Sequence, residues 1–407
     1  MSIFVDCFYN KFLMIWLFFL FFLHSLHAKP LQIDVKAPAA VLMDAETGAI
    51  LYEKEGFRQI YPASATKVGI ALYVLTEKKE FLDQLFTTSS ESLKKRPANG
   101  DFSPWWWYRE GTRIWLVEGE KMRLIDLLRG LLLISGNDAG NVIAEGLGGS
   151  PLKFMEQVNG YFKQIGCLHT QFVNPHGCHH EDHWTIPYDL CLMMKEAIKN
   201  ETFCEIEKSV SYERPKTNKQ KPLLMQPLSK LLDKKSHFYY PKAIAEKTGY
   251  HSFSQYVLVA AAENQGRTLI GCVAGCQENR DRYESMIKMF ETAFQEKREI
   301  RPLFGENHLF SKKIEGGKKE LHAFLKEELS ISYYPSQEPQ IRAFVLWHVP
   351  DFPIQKGASV GEIQIIDASG EVLKKGELYA KEAVEGKFFH CSKKKIAKLL
   401  KYNDPLL

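Results

Sequence analysis

Charge of one sign is what this sequence lacks. Across 407 residues, 53 Lys and Arg face 49 Asp and Glu, a net charge of +4, and so even a balance offers no argument for nucleic acid as a partner. An internal repeat is missing too, as is any fibrous or disordered bias: 45% of residues are hydrophobic and 12% aromatic, ordinary for a globular chain of two or three domains with a real core. Nor is there an even set of cysteines. Of the eight, Cys7 falls in an N-terminal apolar segment. Cys167, Cys178, Cys191, Cys204, Cys272, Cys276 and Cys391 are odd in number, so they cannot all pair. Cys272 and Cys276 lie in an apolar run of strand character, where four residues span about 13 Å, too far to bridge; buried thiols are expected. The apolar run Phe12–Leu23 behind Lys11 has twelve residues, fewer than the roughly 20 a membrane span needs. Followed by His24-Ser25-Leu26-His27-Ala28, it has the plan of an export signal cleaved after Ala28. An uncleaved anchor is the alternative, and either way the rest of the chain works outside the cytoplasm.

What is there begins with pattern. Ala39–Asp44 and Ala49–Glu53 have the character of two strands joined by Ala45-Glu46-Thr47-Gly48, a hairpin with glycine at the turn. A largely buried helix is expected from Ser64 to about Leu75, and two more over Met122–Ile134 and Ala139–Leu147, separated by the polar loop Ser135-Gly136-Asn137-Asp138. Tyr256–Ala262 and Thr268–Ala274 are adjacent antiparallel strands, so the sheet of the first domain is assembled from both ends of the segment. After a helix over Arg282–Glu296, the charged stretch to Arg301 and Pro302 marks a boundary. Beyond it Ala343–Trp347, Glu362–Ile366 and Glu371–Leu373 are short strands between turns, and a small β-sandwich is expected.

Ser64 and Lys67, three apart on a helix, share a face, so an amine can reach a hydroxyl. The same spacing recurs at Ser92/Lys95, Ser150/Lys153, Ser285/Lys288 and Ser392/Lys395, so spacing alone singles out nothing. Two further motifs supply the distinction: Ser135-Gly136-Asn137 in the loop between helices, and Lys247-Thr248-Gly249 at an apolar strand, where glycine admits a substrate backbone. An activated hydroxyl, a second hydroxyl with an amide on a facing loop, and a cation on a strand edge suit acyl transfer from a peptide.

In this order the three motifs are those of penicillin-binding proteins and class A β-lactamases. The likeness extends to Arg58–Ser64, Ser135–Ala139, Thr170–Gly177 and Asp281–Glu284, which resemble the D-alanyl-D-alanine carboxypeptidases, the low-molecular-weight penicillin-binding proteins; Pro353–Gly361 resembles that family's β-domain. The resemblance spans about residues 39–386. It implies an α/β fold, an antiparallel sheet with helices of the β-lactamase/transpeptidase type, plus a small C-terminal all-β sandwich. The implied organisation is a signal peptide at 1–28, a peptidase domain at 29–299, the β-sandwich at 300–386 and a basic amphipathic tail at 387–407. It further implies that Ser64 attacks the carbonyl between two terminal D-alanines of a peptidoglycan stem peptide, and that Lys67, neutral, takes its proton. Ser135 and Lys247 would pass a proton to the leaving D-alanine, Asn137 would hold the substrate amide and Thr248 its carboxylate. The N–H groups of Ser64 and Tyr250 beside Gly249 would form the oxyanion hole, with Arg267 assisting at the carboxylate. β-Lactams would be covalent inhibitors, and no cofactor or metal is required.

The chain departs from that family where His251 stands in place of the usual threonine, and where Trp105-Trp106-Trp107 lengthens the segment before Ser135; those rings either stack on substrate or pack on their own domain. The run from His176 through Cys178, His179, His180, Glu181 and Asp182 to His183 contains zinc-ligand residue types, but satisfied loop histidines are the better expectation. At the C-terminus Phe388, Phe389, Ile396, Leu399 and Leu400 share one helical face and Lys394, Lys398 and Lys401 the other, a pattern for an anionic membrane surface that places the enzyme on the periplasmic face of the inner membrane. Packing on its own β-domain is the alternative for that helix. Two competing functions remain: a β-lactamase, which would need a Glu-x-x-Leu-Asn where only Glu196-Ala197-Ile198-Lys199-Asn200 stands, and a catalytically silent wall-binding scaffold.

Overall fold

The computed structural model describes residues 30–94 and 111–387; the N-terminal apolar segment, the tryptophan run and the tail from 388 lie outside the described residues. These divide into two compact units, Pro30–Lys297 and 298–387.

The first unit runs β1 (Ala39–Asp44), β2 (Ile50–Lys54), α1 (Thr66–Glu77), β3 (Leu85–Thr87), β4 (Lys121–Arg123), α2 (Leu124–Leu133), α3 (Asn137–Gly148), α4 (Pro151–Gln164), α5 (Pro187–Ala197), α6 (Glu201–Glu207), β5 (Tyr212–Arg214), β6 (Leu223–Met225), β7 (Ala243–His251), β8 (Gln255–Asn264), β9 (Arg267–Cys276) and α7 (Asn279–Phe294). Its main sheet has the order β2-β1-β9-β8-β7, with every pairing antiparallel. Strands from the two ends of the segment therefore meet where β1 pairs with β9, and β7 is left on an edge.

Period-two alternation sorts the core. In β1, Val41 and Met43 join the cluster shared with α1 to α5, while Ala40 and Leu42 join Met286, Met289 and Phe290 of α7. The sheet is thus sandwiched between one helix and many. Helix α1 runs through the larger cluster, buried on every residue from Thr66 to Leu75, which is why its sequence is apolar all round rather than striped. Met122 and Arg123 belong to β4 rather than to the following helix. There Lys121-Met122-Arg123 alternates exposed, buried, exposed and pairs with β3, a strand period where helix was expected.

The second unit comprises β10 (Glu299–Phe304), β11 (Phe310–Lys312), β12 (Leu321–Phe324), β13 (Leu329–Tyr333), β14 (Arg342–Trp347), β15 (Ser359–Ile366) and β16 (Val372–Ala380). A five-stranded sheet, β11-β12-β16-β15-β14, and the pair β10-β13 share one apolar core containing Leu329, Ile331, Ala323, Ile363, Ile365 and Leu378. This is a small β-sandwich.

Candidate active site

Ser64 lies not in the first turn of α1 but in a 3-10 turn, Ala63–Ala65, that feeds it. Ala63 enters this turn at a φ of 46°, a left-handed conformation that costs an alanine of order 1–3 kcal/mol and persists only when its surroundings enforce it. They do so from two sides. Thr66 Oγ1 donates to the Ala63 carbonyl (2.8 Å) and lies 2.8 Å from His183 Nε2; His183 Nδ1 accepts the Val173 N–H (3.1 Å), which leaves the ring proton on Nε2, facing Thr66. From the other side Gly177, at φ +86°, approaches so closely that a Cβ there would lie 1.8 Å from the Ala63 oxygen. Burial holds His183 neutral, its pKa well below the ordinary value. Both ring nitrogens are engaged, one at the turn and one by Val173, and among the described residues no group of three or more His, Cys, Asp or Glu is arranged to hold a metal ion.

Lys67, one turn on, is fully buried. Its Nζ lies 2.8 Å from Ser64 Oγ and donates to the His176 carbonyl at 2.7 Å. Burial first, and the nearby charge of Lys247 second, push the amine well below its ordinary pKa. A neutral amine has one lone pair and two N–H groups. With an N–H engaged by His176, the lone pair is available to the Ser64 hydroxyl, the geometry of a general base.

The loop facing this pair is held by its own strap. Ser135 takes a φ of 59°, the Thr112 hydroxyl donates to the Ser135 carbonyl (2.6 Å), and the Asn137 N–H donates to the Thr112 carbonyl (2.9 Å). Asp138 secures the strap by accepting the N–H groups of Ile114 and Leu116, each at 3.0 Å. Asn137 opens α3 and directs its Nδ2 to the Cys178 sulfur at 3.6 Å.

Lys247, Thr248 and Gly249 lie within β7 itself. A Cβ on Gly249 would lie 2.5 Å from the Pro62 oxygen and 3.1 Å from the Ser64 nitrogen, so this edge strand presses directly on the nucleophile's turn. Lys247 Nζ donates to the Thr248 carbonyl (3.2 Å) and makes no hydrogen bond to Ser135. Tyr250 is exposed and stacks on Tyr256. His251 faces back toward Tyr61 and His179, and its Nδ1 accepts the N–H groups of Phe253 and Ser254, the role a turn-closing threonine hydroxyl can fill.

Arg267 is not part of this constellation. Thr248 pairs with Leu258 and Leu258 with Val273, so Arg267 sits six residues, roughly 20 Å, down β9 from the level of Thr248. There its side chain is buried, with Asp44 at 3.5 Å, Glu296 at 3.2 Å and the Ala293 carbonyl at 2.6 Å. The expected carboxylate-binding role is replaced by a buried ion-pair triad. Arg267→Met should therefore cost about 3–5 kcal/mol in urea unfolding, because the ion pairs of the buried guanidinium with Asp44 and Glu296 are broken from one side, while folded protein keeps its penicillin acylation rate. The arginine that does serve the site is Arg282 of α7, which donates to the carbonyls of Gly249 (3.1 Å) and Val257 (3.2 Å) from behind β7. The resemblance around Asp281–Glu284 marked the segment, but nothing in the sequence connected it to Gly249.

A sequence model of peptidase family S11, D-alanyl-D-alanine carboxypeptidase, matches residues 25–278. The chain belongs to that family. Its S11 relatives include the D-alanyl-D-alanine carboxypeptidase DacF of Bacillus subtilis, 29% identical over 352 residues with 85% of each chain covered, and DacC of Escherichia coli, 26% identical over 366 residues covering 88% of this chain and 86% of the other. Among solved structures, DacD of Francisella tularensis shares the fold at a TM-score of 0.61 and 22% identity, covering 88% of this chain and 96% of that one. The Streptomyces K15 DD-transpeptidase, solved in a mutant form, matches at 0.57 and 26%, covering 65% of this chain and 99% of that one. The S11 assignment rests on the unit that contains Ser64, and both the fold class and the serine-peptidase class expected from the motifs are those of the relatives.

Proposed function

We propose that this chain is a serine-type D-Ala-D-Ala carboxypeptidase that trims the terminal D-alanine from peptidoglycan stem peptides through an acyl-enzyme on Ser64. The observation that carries the proposal is the 2.8 Å approach of a buried, pKa-lowered Lys67 amine to a half-buried serine hydroxyl. Lys67 takes the hydroxyl proton as Oγ bonds to the carbonyl carbon, and the backbone N–H groups of Ser64 and Tyr250 hold the developing oxyanion. Ser135, together with Lys247, relays that proton from Lys67 to the departing D-alanine amine as the C–N bond breaks, so that Lys67 is neutral again. Asn137 holds the substrate amide and Thr248 the terminal carboxylate. Water then attacks the ester, Lys67 takes its proton and returns it to Ser64 Oγ as the acyl bond breaks, and the shortened peptide leaves. A β-lactam follows the same first step, with its ring amide as the bond that opens.

The test is mass spectrometry of wild type and Ser64→Ala after incubation with penicillin and, separately, with a peptide ending in D-Ala-D-Ala. A penicilloyl adduct confined to wild type, with free D-alanine released, is the expected result. Folded protein that gives neither would leave the wall-binding scaffold in its place.

Export and residence on the outer face of the inner membrane belong to the same proposal, supported by the N-terminal apolar segment and by the amphipathic pattern of residues 388–401, with anionic lipid as partner. No helix among the described residues is long and apolar enough to cross a membrane, so that pattern is what supports membrane contact.

A further inference from the structure

A small cavity of about 10 Å³, room for one water, lies beside β7. Its walls include Lys247 and Thr248, Glu246 on the same strand, Glu207 at the end of α6, and Ser229. Glu207, Glu246 and Lys247 are each no more than 5% exposed. Such a concentration of buried charge is costly unless each group answers another.

The two carboxylates are used differently. Glu246 is committed to the backbone: its oxygens accept the Lys230 N–H (3.1 Å) and the Leu231 N–H (2.5 Å), which closes the loop entering the site. Glu207 accepts a single protein hydrogen bond, from the Glu246 N–H to Oε2 at 3.2 Å, and its other oxygen has no hydrogen-bond partner among the described residues. No direct ion pair joins Glu207 to Lys247. Lys247 in turn gives one N–H to the Thr248 carbonyl, and two remain for substrate and cavity.

We propose that Glu207 is a positioning residue for this reaction, holding Lys247 charged and in place across the cavity; the inference rests on the role given to Lys247 above.

The electrostatics agree. Burial raises the Glu207 carboxyl to about 7, against the pull of the Glu246 N–H and of Lys247. Burial lowers Lys247 to about 8, against the pull of Glu207 first and Glu246 second. Three other titratable groups face this lysine: Arg282 from α7, which disfavours its charge, the neutral Lys67 amine from α1, and Glu246, already engaged by backbone. The remaining cavity wall from α2, Leu132 and Leu133, offers no charge. Glu207 is therefore the counter-charge available to Lys247.

The sign of the consequence is fixed. An anion beside an ammonium raises the ammonium's pKa, so removing it lets Lys247 lose its proton at lower pH. In Glu207→Gln the alkaline limb of kcat/KM should move down by about one unit. At mildly alkaline pH, kcat for D-alanine release should fall about tenfold with KM less affected, because the role given to Lys247 is proton transfer to the leaving amine. At acid pH Glu207 is itself neutral in wild type, so wild type and variant should coincide there. Glutamine keeps the oxygen that accepts the Glu246 N–H, and Glu207→Asp should move the limb back toward wild type.

The experiment is the pH dependence of both D-alanine release and the penicillin acylation rate, for wild type, Glu207→Gln and Glu207→Asp, with thermal unfolding alongside. A shifted limb in the glutamine variant with partial return in the aspartate variant supports the proposal. An unshifted limb, with only lower stability or a uniform loss of rate at every pH, overturns it and leaves Glu207 structural. Should glutamine fail to fold, the aspartate variant carries the test by an intermediate limb, and coincidence with wild type overturns the proposal. Should wild type acylate with penicillin but release no D-alanine, the carboxypeptidase reading fails on its own, and the acylation limb still decides Glu207.

Discussion

Lys67→Ala should still fold, yet acylate with penicillin ~10²–10⁴-fold more slowly than wild type, the range a positioned general base supplies. Nothing beside Ser64 is placed to replace it. Among the described residues Ser64 Oγ has Lys67 Nζ as its hydrogen-bonding partner, and the buried His183, 2.8 Å from Thr66 Oγ1, has its accepting nitrogen occupied by the Val173 N–H. The variant also removes the hydrogen bond from Lys67 to the His176 carbonyl, at a cost of about 0.5–1.5 kcal/mol, so unfolding must be measured beside the adduct rate. A loss below tenfold in folded protein would mean that another group takes the serine proton.

The second large effect is structural and acts on the same turn. Gly177→Ala places a methyl 1.8 Å from the Ala63 backbone oxygen and 2.3 Å from its carbonyl carbon, at a φ of +86°, and backbone atoms cannot yield by a rotamer change. Destabilisation of about 3 kcal/mol or more is expected, with acylation lost even in the fraction that folds, because the displaced atom is the carbonyl directly before Ser64. Gly149→Ala is the control. Gly149 is also left-handed, at +69°, but has no atom within 4 Å of its added methyl, so it should cost only about 1 kcal/mol and leave acylation untouched. Chemical unfolding of the pair separates close approach from backbone strain.

Legibility in the sequence followed locality. The hairpin β1-β2, the strands β8 and β9, and the helix after Asp281 announce themselves through periods that each segment carries within itself. Ser64, Lys67, Ser135, Asn137 and Lys247 stood out because their spacing and order repeat a family's pattern. What escaped depends on register and on third parties. Arg267 looked serviceable beside a strand, and only the pairing of Leu258 with Val273 shows that it lies at the wrong end. Arg282 matters because a helix behind the sheet brings it to two carbonyls more than 24 residues earlier in the chain. The strain at Ala63 was hidden for the same reason, since the residues that enforce it, Gly177 and His183, are more than a hundred positions away. Glu207 carries no motif, and its meaning comes from a cavity.

The seam between β1 and β9 bears on how the molecule is made. Residues 39–44 can pair with 269–274 only after the intervening chain exists, and contacts of such long range form late and slowly. The turn holding Ser64 is completed by Gly177 and by Gly249 of β7, both of which come from the later part of the same segment. A chain interrupted short of them would carry the serine and the lysine but not the surface that shapes them. Reactivity in this protein is therefore a late product of folding, acquired when the two ends of its sheet close on each other.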